Sequence, residues 1–66
     1  MELASVQQRK MFFGLCNDLG FDPEESKRRA KKHFNLESFK DITKNQLTEL
    51  IDKLLVLQEQ RGIKNG

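Results

Sequence analysis

Lys27, Arg28, Arg29, Lys31 and Lys32 place five of the chain's twelve lysines and arginines within six positions, and the single histidine, His33, follows directly. Cationic groups gathered this way suit phosphate. Each contact releases counterions, so affinity falls steeply with salt and carries little sequence preference. On a helix of 3.6 residues per turn, Lys27, Arg28, Lys31 and Lys32 cover the outer half while Arg29 projects to a flank. Reading base edges would call for Asn, Gln or Ser at these positions, whereas the segment offers mainly Lys and Arg. Backbone contact with DNA is therefore expected, with single and double strands both open. The same run also fits a solvated helix face balanced by neighbouring acids, or a dock for an acidic protein. A formal net charge of +2 does not choose among these.

Other chemistries find less support. Cys16 is the only cysteine, so no disulfide can form within the chain, and a reducing compartment fits best. Cys16 and His33 alone fall short of the three or four protein ligands that zinc takes. A Cys–His nucleophile is disfavoured because Cys16 lies on an apolar helical stripe, where a thiol acts as a small inert hydrophobe. Carboxylate pairs such as Glu24/Glu25 and Glu49/Asp52 sit at helix starts or surfaces, and the four glycines are isolated rather than gathered in a phosphate loop. The expectation is a non-enzyme with no cofactor and no metal. No apolar run approaches the ~20 residues that span a bilayer. The N-terminus lacks a signal-peptide pattern, so a cytoplasmic protein without a membrane partner is expected.

The elements that must carry these residues are helices. At 66 residues one core is all the chain can support, so residues 1–66 are expected to form one domain. Ser5 is a candidate N-cap, and Phe12, Leu15, Cys16 and Leu19 recur at helical spacing before Gly20 and Phe21 close a Schellman-type end. Asp22-Pro23-Glu24-Glu25 supplies cap, first-turn proline and dipole-matched acids for a second helix ending near His33. From Asn35 to Ile42 the connection holds Leu36, Phe39 and Ile42, too apolar for a solvated linker. Thr43-x-x-Gln46 is a capping box opening a third helix to about Arg61, with Leu47, Leu50, Ile51, Leu54 and Leu57 as its stripe. The fold class is thus all-α: three helices with a short helical turn or compact loop between the second and third. The ordered core should run from about 5 to 61, with 1–4 and 62–66 frayed.

Two apolar features exceed what that core needs. Leu55 and Val56 lie off the third helix's stripe, and with Met11 or Phe13 they could form a homodimer patch or a docking site for a parent protein. Phe12, Phe21, Phe34 and Phe39 sit where a core needs them, which leaves Phe13 as the one ring with a second use.

The pattern Gln8-x3-Phe12-x2-Leu15-x3-Leu19-Gly20-Phe21, followed by Phe34-Asn35-Leu36-Glu37-Ser38-Phe39-Lys40-Asp41-Ile42-Thr43-x2-Gln46-x3-Leu50-Ile51-x2-Leu54, resembles a helical phage module. It is similar to the helical region of the Mu-type GemA regulatory proteins and to C-terminal segments of Erf-type and related single-strand annealing recombination proteins. The resemblance implies a phage or prophage accessory protein, without catalysis, working near DNA recombination, replication or regulation in a bacterial host. Ser26 and Arg29 depart from it, since apolar residues usually stand at those positions.

Overall fold

The computed structural model describes residues 2–62. Three helices, α1 (Val6–Asp18), α2 (Pro23–Phe34) and α3 (Lys44–Gln60), are joined in order, with a 3-10 turn, η1 (Phe39–Asp41), between the last two. The all-α class and the compact helical connection are as the sequence predicts.

Local side-chain chemistry sets each boundary. Ser5 Oγ accepts from the Gln8 N–H at 3.1 Å while Gln8 Oε1 accepts from the Ser5 N–H at 3.2 Å, a capping box that matches the one Thr43 and Gln46 form at α3. Asp22 accepts from the Glu25 N–H ahead of Pro23. Both α1 and α2 end in Schellman geometry: the Phe21 N–H donates to Cys16 O and the Leu36 N–H to Lys31 O, each at 2.8 Å. Gly20 supplies the left-handed residue in the first case and Asn35, at φ 55°, in the second.

Phe12, Leu15 and Cys16 of α1, Ala30 of α2, Phe39 and Ile42 of the connection, and Leu47 and Ile51 of α3 form the buried core. Helices α1 and α3 run side by side in the same sense. Gln8 Nε2 reaches Thr48 Oγ1 at 3.0 Å near their starts, and Arg61 donates to Leu19 O at 3.3 Å near their ends. α1 packs along α3 and more briefly against α2, whereas α2 and α3 share no comparable interface. Leu50, Leu54 and Leu57 are consequently only half-buried.

One expectation is corrected. Residues 1–4 were expected to be loose, yet the described part, 2–4, is docked: Leu3 and Thr43 form an antiparallel bridge, Ala4 N–H donates to Ile42 O, and Lys44 N–H to Glu2 O. The connection ahead of α3 leaves backbone groups unpaired by any helix, and the N-terminal segment satisfies them while burying Ala4. Of the expected frayed tail, Gly62 takes part in a turn, while 63–66, like Met1, lie outside the described residues.

Candidate nucleic-acid interface

Helix α2 is cationic on more than one side because only Ala30 and the polar Ser26 are buried along it, with Phe34 partly buried at its end. Ser26 replaces apolar packing with hydrogen bonding, its hydroxyl donating to Asp22 O at 2.9 Å. The narrow core stripe leaves the rest of the helix surface to charge, and two concavities flank it.

The first lies between α1, α2 and η1, with a volume of about 430 Å³. Lys27, Arg28 and Lys31 reach it from α2, Arg9 from α1, and Lys40 from η1. Phe13 and Phe39 line the same cleft, their ring centroids 5.6 Å apart, and Lys27 Nζ stands 5.6 Å above the Phe13 ring. Lys27 also pairs with Glu24 at 3.6 Å, the only carboxylate lining the cleft. Among the described residues, Arg9, Arg28, Lys31 and Lys40 make no ion pair. Ser38 adds a hydroxyl that caps η1, accepting from the Lys40 N–H at 3.3 Å.

The remaining cations of the run are placed elsewhere. Arg29 pairs with Glu25 at 2.9 Å and, with His33, lines a second groove on the α3 side of α2; the His33 ring meets Phe34 edge-on at 4.6 Å. Lys32 is exposed and lines neither concavity. Of the six residues singled out by sequence, the structure therefore gathers Lys27, Arg28 and Lys31. Arg9 and Lys40 were missed. Arg9 carried one usable signal, since it precedes Phe13 by four residues and so shares its helix face; Lys40 had none, because only the folded connection brings it to α2.

Of the proposed apolar patch, Met11, Leu55 and Val56 are exposed. Phe13 is separated from Met11 by two residues, or roughly 200° around a helix, and it points instead into the cationic cleft, half-buried against Phe12 and Phe39. It does not share a surface with Met11.

Cys16 is buried, and burial pushes its thiol above the ordinary value, partly offset by a hydrogen bond with Ser26. A thiol held protonated is a poor nucleophile. Among the described residues, no group of three or more His, Cys, Asp or Glu side chains is placed to hold a metal ion, and no helix is long and apolar enough to cross a membrane.

Fold and site define a small all-α domain with a cationic cleft at the junction of two helices and a connecting turn. No family model, curated protein or solved structure matches the chain.

Proposed function

We propose that this chain is a non-catalytic nucleic-acid-binding module that holds backbone phosphates in the α1–α2–η1 cleft. The observation that carries this reading is the convergence of Arg9 and Lys40 with Lys27, Arg28 and Lys31 from three separate elements onto one concavity with a single carboxylate. A solvated helix face would need no such convergence. Walls of one sign around a concave, low-dielectric site focus potential and concentrate an anionic ligand. Cations without internal partners lose no ion pair when phosphate arrives. Binding of this kind is read through the backbone and is largely independent of sequence. The resemblance to GemA-type and Erf-type phage modules would place it in recombination, replication or regulation in the cytoplasm of a bacterial host.

A second reading, a homodimer or a dock for a phage or host protein, is favoured by the exposure of Met11, Leu55 and Val56. Gln8 and Met11 lie three residues apart on α1, and Thr48 and Leu55 seven apart on α3, so Met11 and Leu55 both flank the seam that the Gln8–Thr48 hydrogen bond marks. Val56 is on the back of α3.

Fluorescence anisotropy with labelled single- and double-stranded oligonucleotides tests the first reading. Replacing Arg9, Lys31 and Lys40 by Gln should sharply weaken binding while circular dichroism stays unchanged. Equal binding by the native and substituted chains would remove the cleft from consideration.

A further inference from the structure

Phosphate binding accounts for the cations of the α1–α2–η1 cleft but not for the ring among them. Phe13 packs edge-on to Phe12 at 5.2 Å and tilted against Phe39 at 5.6 Å, yet it is only half-buried and lines the cleft. The Lys27 ammonium stands 5.6 Å from its centroid, so that face of the ring is turned to the cleft and met by the end of a flexible side chain. Phe21 also has a cation above it, Arg61, but lines the other groove, away from Arg9, Arg28, Lys31 and Lys40. At about 430 Å³ the cleft falls within the range of sites for one small molecule, about 300–1,000 Å³. It has room for a single nucleotide and none for a duplex.

Resting on the reading of the cleft as a phosphate site, we propose that Phe13 is its base-contacting residue. An unpaired base lies on the ring in place of the Lys27 ammonium, while Arg9, Arg28, Lys31 and Lys40 hold the flanking phosphates. Every base has a π-face, so stacking on an aromatic ring adds affinity without reading sequence. The cation–π contact given up is weak at an exposed site, and the displaced Lys27 turns toward phosphate. In a duplex the bases are already paired and stacked on one another, so a double strand makes the phosphate contacts alone. The contribution of Phe13 is therefore confined to single strands.

Anisotropy with three labelled probes of equal length tests this: a thymidine single strand, a strand of abasic sites, and a duplex. The native chain should bind the thymidine strand about tenfold more tightly than the abasic one, which carries the same phosphates and no bases. Phe13→Leu fills most of the same space against Phe12 and Phe39 without a ring. It should lower thymidine-strand affinity to that of the abasic strand and leave the duplex unaffected. Phe13→Tyr, which keeps the ring, should retain the native preference. Urea denaturation checks the folding of both variants, and the comparison of strands in the native chain depends on neither. Equal native affinity for thymidine and abasic strands, both falling steeply with salt, would overturn the base contact and leave the phosphate reading standing. Equal losses of single-strand and duplex affinity in a folded Phe13→Leu chain would reduce the ring to a packing role. Absence of binding to any probe at low salt would remove both readings.

Discussion

Leu47 and Ile42 are the side chains most completely removed from solvent, together with Cys16. Leu47→Ala removes buried methyl groups and leaves a void, a cost of about 2–5 kcal/mol. In a chain this small that is a large part of the total stability, and thermal denaturation should find the variant largely unfolded at 37 °C. Asn35 holds φ 55° at the end of α2. Glycine adopts that conformation freely and a β-branched residue does not, so Asn35→Gly should leave Tm nearly unchanged while Asn35→Val lowers it. Cys16 sets a pH limit. Its thiol is raised by burial, so its contribution to stability is fully present below the ordinary thiol value and is lost as pH rises through the raised one. Denaturant midpoints should therefore fall on the alkaline side of the ordinary thiol range, and Cys16→Ala should flatten that fall.

At the level of elements, the starts and stops were legible because each is written in a few adjacent residues. Asp22-Pro23, Thr43-x-x-Gln46 and Leu19-Gly20-Phe21 satisfy backbone groups locally, and all three behave as read. Ser5 and Gln8 form a box of the same kind, of which only the cap itself was read from sequence. Thr43→Ala should cost about 1 kcal/mol, visible as a lower urea midpoint with an unchanged slope. Docking of residues 2–4 was not legible, because its signal lies some forty residues away in the carbonyl of Ile42 and the N–H of Lys44. The separation of α2 from α3 was equally hidden. A stripe of Leu50, Leu54 and Leu57 announces burial without saying against what, and only the packing of α1 along α3 reveals that one side stays open.

For the whole molecule, what matters is that charge is collected across elements rather than along one. The run from Lys27 to Lys32 is continuous in sequence, yet on the folded helix it divides in three: Lys27, Arg28 and Lys31 face one cleft, Arg29 the opposite groove, and Lys32 neither. No linear pattern could have added Lys40, which depends on η1 folding back toward α2. Arg29→Gln should accordingly leave oligonucleotide affinity almost unchanged, whereas Lys31→Gln weakens it. The most direct measurement is the slope of log affinity against log salt for a short duplex. With four unpaired cations in the cleft, the native chain should give about −3 to −4, and the Arg9/Lys31/Lys40→Gln chain, which keeps only Arg28 of the four, a slope of about −1. A steep slope retained by that variant, or no measurable binding by the native chain at low salt, would contradict phosphate recognition in the cleft.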